Sequence, residues 1–127
     1  MTYGRRTLTQ EVLTAKEIKA IIQPFMLGDV GHALERRQSL PGVTVSPISG
    51  WGKRRARDAE HVIVEGGHRM ARKTKIEVVV ADEIADAVVA AIANAARTGR
   101  VGDGKIFVTT IKEAVQIRTG EHGEDAL

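Results

Sequence analysis

Residues 75–110 hold the arrangement that most restricts how this chain can fold. Lys75-Ile-Glu-Val-Val-Val80 is β-prone, the segment from Asp82 places Ile84, Val88, Val89, Ile92 and Ala96 at helical spacings, and residues 106–110 become β-prone again. A change from strand to helical periodicity and back describes a crossover whose helix lies on one face of a sheet. Asp82 is expected to cap the helix and Gly99 to end it.

Between that helix and the second strand runs Thr98-Gly99-Arg100-Val101-Gly102-Asp103-Gly104-Lys105. Its glycines let backbone N–H groups approach a ligand closely, and Arg100 and Lys105 add positive charge, which is the chemistry of a phosphate cradle. Gly99 to Lys105 even keeps the Gly-x4-Gly-Lys spacing of a P-loop, but Ile106 stands where a magnesium-holding hydroxyl is needed. The order of elements is also reversed. A loop at a helix C-terminus meets the negative end of the macrodipole, so a phosphate there requires a further cation from elsewhere. The same residues equally serve a plain Gly-rich turn, and composition does not choose between the two.

Upstream, residues 19–24 form a short β-prone run stopped by Pro24, and Leu27, Val30, Ala33 and Leu34 give a helix from Met26 to about Arg37. After Pro41-Gly42, residues 43–49 alternate as a half-buried strand in which Pro47 marks an edge or irregular position. Residues 53–72 lack sustained periodicity and read as a long loop or a hairpin, and 115–118 offer a further short extended piece. The order βαββαβ predicts an α+β, ferredoxin-like domain: a four-stranded antiparallel sheet, both helices on one face, and a long loop between strands 2 and 3. The uncovered face predicts self-association. Residues 1–15 are read as an N-terminal extension and 16–127 as the domain; Thr7 to Gln10 fits a capping box, a tail or an added edge strand.

A chain of 127 residues with 43% apolar and only 3% aromatic residues supports one domain with an aliphatic core. The net charge of +3 is uneven, gathering at Lys53-Arg54-Arg55-Ala56-Arg57 and between Arg69 and Lys75, which points to anionic ligands or partners. Without cysteine there is no disulfide framework and no thiolate nucleophile. No apolar run is long enough to span a bilayer, so the chain is read as cytoplasmic. His61 and His68, near Asp58, Glu60 and Glu65, are weak candidates for a transition-metal site, because no spacing makes them converge. Nothing pairs a nucleophile with a base, so no enzyme and no catalytic residue is expected. Nucleic acid is not expected either, since Trp51 is the one aromatic beside the basic loop.

Taken together, residues 19–25, Gly50-Trp51-Gly52, Lys73-Thr-Lys-Ile-Glu77, 98–108 and Ile117-Arg-Thr-Gly-Glu121 resemble the PII signal-transduction family in order and spacing, over roughly residues 16–122. The resemblance implies a homotrimer of ferredoxin-like subunits that binds ADP, ATP or AMP in intersubunit clefts and signals to a protein target through its long loop. Carried over, it makes Gly102, Asp103, Gly104 and Lys105 the phosphate loop and brings Arg118 from a neighbouring subunit as the missing cation. Thr44 would recognise adenine, Glu77 to Val79 would border ribose and base, and Gly50, Gly52 and Lys53 would meet the nucleotide at the loop base.

Three positions depart from the family's pattern. Arg54 replaces a glutamine that helps hold magnesium and 2-oxoglutarate; a guanidinium has donors only and pairs instead with a carboxylate, phosphate or bicarbonate. Gly66 stands at the nucleotidylylated tyrosine, and the only tyrosine is Tyr3, so control through that modification is not expected. Gln116 replaces a second phosphate-contacting arginine, which favours ADP or AMP. The resemblance therefore implies a divergent branch, with Lys53 and Arg54 as the loop switch. Such branches are associated with membrane transporters, heavy-metal efflux, inorganic-carbon uptake and carboxysomes. The alternatives are a nucleotide sensor that also reads bicarbonate or 2-oxoglutarate, a metal-binding accessory protein, and a nucleotide hydrolase.

Overall fold

The computed structural model describes residues 14–37, 40–51 and 62–127. Strand β1 (Ala15–Ile22) passes through a 3-10 turn at Pro24–Met26 into helix α1 (Leu27–Glu35), and β2 (Val43–Gly50) follows. A hairpin of β3 (Val62–Glu65) and β4 (His68–Ala81) leads to α2 (Asp82–Ala96), then β5 (Gly104–Ile111) and a 3-10 segment at Gly123–Ala126. The antiparallel strands run in the order β2-β4-β1-β5, with β3 paired to β4. This is the expected ferredoxin-like arrangement with one strand added. Residues 62–72 of the segment expected as a long loop or hairpin are the β3–β4 hairpin, turned at Gly66 and Gly67 with positive φ.

Alternation decides which side of each central strand is buried. Ile18, Ala20 and Ile22 of β1 and Ile76, Val78 and Val80 of β4 meet Val30, Leu34, Ala85, Val88, Ile92 and Ala96 from the helices. Each fully buried aliphatic side chain contributes about 1.5–3 kcal/mol, so an aromatic-poor chain still has a working core. Pro47 sits in β2 opposite Thr74, at the end of the strand order, where a missing N–H donor is tolerated.

Two terminus assignments differ from expectation. Ala81 takes the N-cap position of α2 without a side-chain cap, and Asp82, the first helical residue, instead binds Lys16 of β1 at 2.6 Å. Its charge still complements the helix N-terminus. Helix α2 ends at Ala96, because Arg97 is already extended, before Gly99 reaches φ 86°.

The open sheet face carries charge as well as apolar surface. Glu77 pairs in register with Lys19 and Thr44, and the Lys75 ammonium lies 3.5 Å from Glu77. Phe107, 51% exposed, sits opposite Lys19. A mixed face of this kind is suited to specific association rather than to a continuous greasy contact. Among the described residues, no helix is long and apolar enough to cross a membrane.

Candidate functional site

The Gly-rich run is a folded loop between α2 and β5, shaped mainly by Asp103. Its carboxylate accepts from the backbone N–H of Thr98 at 2.8 Å and of Gly99 at 2.9 Å, and also from the Thr98 hydroxyl. That hydroxyl in turn accepts from the N–H of Arg100 at 3.2 Å. The Thr98 hydroxyl bond foremost, then the backbone donors and Lys73, holds the Asp103 carboxyl below the usual carboxylate range. Asp103 therefore braces the loop from within. The resemblance placed it in the phosphate loop; geometrically it serves as the loop's internal tie, with its charge satisfied inside the chain.

Two glycines are required by space as well as by torsion. Gly104 has φ 109°, and a Cβ there would lie 1.7 Å from the carbonyl oxygen of Ile21, on the neighbouring strand of the β1–β5 ladder. Gly102 has φ 96°, and a Cβ would meet Gln23 Nε2 at 3.1 Å and Lys73 Nζ at 3.4 Å. Lys73 donates to the Gly102 carbonyl oxygen at 2.5 Å, so β4 grips the loop directly. Burial lowers the pKa of Lys73 from its ordinary value, and the negative charge of Asp103 partly restores it. Lys105 is exposed at the start of β5, opposite Ile21.

Lys73, Lys75, Glu77 and Val79 alternate along the open face of β4, so a single strand leads away from the loop. Glu77 and Val79 line a cleft of about 420 Å3 together with Thr44, the register partner of Glu77. Glu17, Gly42 and the C-terminal residues Ala126 and Leu127 also form its walls. Three residues expected to border a base are thus brought together. Lys73 and the C-terminal wall join the site only through the fold. In the sequence Lys73 shows as a lysine at alternate positions of a strand next to a basic cluster, and Ala126 and Leu127 carry no signal.

Arg118 lies in a separate segment that follows β5. Residues 113–122 form a clasp: His122 Nδ1 lies 2.9 Å from Glu113 Oε1, Val115 bridges to His122, and Gln116 donates its N–H to Glu121 at 2.8 Å. Arg118 is exposed at the tip, beside Ile117, which is 97% exposed. Gly50 ends β2 opposite Ala71. Gly52, Lys53, Arg54 and His61 lie outside the described residues. Among the described residues, no group of three or more metal-ligating side chains occurs, and His68 stacks on Trp51 with ring centroids 4.7 Å apart.

Fold and site together define a ferredoxin-like α+β domain with a glycine-shaped loop at one sheet edge and an open cleft along a central strand that also holds that loop. The profile of the nitrogen regulatory protein P-II family matches residues 15–121, and the chain belongs to that family of regulatory signal-transduction proteins. It is 48% identical to the nitrogen regulatory protein P-II of Rhizobium meliloti over 88% of this chain and 99% of that one. The protein of the same name from Bradyrhizobium diazoefficiens is 44% identical over 88% of this chain and 99% of that one. Among solved structures, Arabidopsis thaliana PII bound to citrate superposes with a TM-score of 0.71 at 33% identity, covering 91% of this chain and 94% of that one.

Proposed function

We propose that this PII-family protein is a homotrimeric, cytoplasmic sensor of adenine nucleotides that acts on a protein target through residues 53–72 rather than by turning over a substrate. The phosphates of ADP, ATP or AMP lie against Gly102, Gly104 and Lys105, and the base lies at Thr44, Glu77 and Val79. The observation that carries this reading is the ready-shaped loop: Asp103 and Lys73 hold it from behind, leaving Lys105 exposed and, among the described residues, facing no acid within ion-pair distance. A loop held in shape before binding loses little freedom when an anion arrives. Arg118, on an exposed tip beside bare Ile117, is suited to completing the cleft of a neighbouring subunit. The ligand sets the partner's response by contacting Lys53 and Arg54 differently in alternative states of their segment.

Calorimetric titration with ADP, ATP and AMP, each with and without bicarbonate, 2-oxoglutarate, magnesium and zinc, tests the reading. At least one nucleotide is expected to bind at submillimolar concentration. A lack of binding by all three at millimolar concentration overturns it, and binding of zinc alone would favour the metal-accessory reading instead.

A further inference from the structure

The outer surface of the helices holds a second concentration of charge, independent of the nucleotide reading. Arg36 and Arg37 follow α1 and Arg97 follows α2, and all three line one groove of about 970 Å3 between the helices. Ala33, Ala91 and Ala95 also line it, so small side chains leave room for a backbone to approach. We propose that this groove docks a short acidic segment of a partner protein, with Arg36, Arg37 and Arg97 gripping its carboxylates.

Basic residues at helix ends are commonly explained by the macrodipole. That charge–dipole attraction leaves the guanidinium donors unoccupied unless they also bond terminal carbonyls or acids. Among the described residues, none of the three side chains makes a hydrogen bond or an ion pair. Asp29 is the acid lining the groove, and its His32 faces Glu35 at 3.7 Å. Three planar forks whose donors have no partner among the described residues match carboxylates, which they bind in bidentate fashion.

The surroundings favour a short peptide over a longer polyanion. Exposed Glu83 and Asp86 on α2 and Glu35 on α1 lie on the two helices that the arginines follow and would repel an extended phosphate backbone. Among the described residues, no Phe, Tyr or Trp lines the groove as a platform for successive bases, and His32 is its one ring. Its volume sits at the upper end of the range for small-ligand sites, about 300–1,000 Å3, which exceeds what one carboxylate or phosphate fills. Capture of a short acidic motif by clustered arginines is a recurring mode of peptide recognition.

Fluorescence anisotropy with the full chain tests the proposal, using a labelled twelve-residue peptide with glutamate at every third or fourth position and its glutamine counterpart. The glutamate peptide is expected to bind in the micromolar range and to weaken as salt rises, while the glutamine peptide does not bind. A triple variant, Arg36→Gln, Arg37→Gln and Arg97→Gln, should lose at least tenfold in affinity with its circular dichroism unchanged. The variant Lys112→Gln, which removes an exposed cation outside the groove, should bind as the parent does. If the triple variant fails to fold, shifts of arginine side-chain N–H resonances in the parent at Arg36, Arg37 and Arg97 decide the question instead. The proposal is overturned by no binding up to about 1 mM, by equal binding of the glutamine peptide, by undiminished binding in the folded triple variant, by resonance shifts confined to other arginines, or by displacement of the peptide at equimolar single-stranded RNA.

Discussion

The Lys73 ammonium donates to the carbonyl oxygen of Gly102 across 2.5 Å, joining the strand that forms the hairpin to the loop that opens β5. Residues 29 apart in sequence are thereby made mechanical neighbours. Lys73→Met keeps the stem but removes the donor. Because the contact is partly exposed, a local loss of about 1 kcal/mol is expected, less than that of a buried charged bond. Amide hydrogen exchange of residues 99–103 should quicken roughly fivefold, with the global unfolding midpoint little changed. Unaltered exchange would mean that the loop holds its shape without Lys73.

Asp103 supplies a pH dependence of known sign. Its folded-state pKa lies below the unfolded value, so its contribution is fully present above the ordinary carboxylate range and is lost as pH falls through the lowered value. The amides of Thr98 and Gly99 should therefore stay protected at neutral pH and lose protection only below about pH 4. Asp103→Asn removes the titration, and the protection of those two amides should become low and flat across the same range. Amide resonances followed from about pH 7 down to about pH 3 measure both outcomes.

The two glycines should respond very differently to alanine. Gly104→Ala places a methyl group on the Ile21 carbonyl, and no rotamer relieves a backbone clash at 1.7 Å. The β1–β5 ladder must open, at a cost of about 3 kcal/mol or more. Gly102→Ala meets the movable ends of Gln23 and Lys73 and retains mainly the torsional penalty, about 1–2 kcal/mol. Thermal unfolding should rank parent above Gly102→Ala above Gly104→Ala; equal midpoints for the two variants would contradict the steric account.

Lys105 and Arg118 are assigned to opposite sides of a shared cleft. Lys105→Ala and Arg118→Ala should each weaken nucleotide binding by about 1.5–3 kcal/mol, the range for charged hydrogen bonds. Refolding the two variants together creates some clefts with both native residues and some with neither. A fraction of sites with parental affinity should then reappear in calorimetry. If mixtures bind no better than either variant alone, the two residues do not meet across a subunit boundary.

The sequence alone determined the periodic elements, because burial on one face imposes spacings of about two or 3.6 that can be read without a partner. It also determined the ferredoxin-like order and the glycine run, whose composition is tied to local torsions, and it carried the family resemblance that residues 15–121 bear out. It left the β3–β4 hairpin half-legible, since Gly66-Gly67 marks a turn but aperiodic flanks do not specify pairing. Tertiary structure decided what each loop residue does. Asp103 turns towards Thr98 because the loop folds back on the end of α2, and Lys73 reaches Gly102 because the β1–β4 and β1–β5 registers end with Thr74 and Gly104 flanking Ile22, the last residue of β1. It likewise set Ala126 and Leu127 in the wall of the cleft and left Arg36, Arg37 and Arg97 around one groove. The Lys73–Gly102 meeting is of this kind, since Thr74 and Gly104 stand on opposite sides of β1 and the two stretches approach only past its end. Such meetings depend on register and on packing between distant segments, and no local pattern of residues records them.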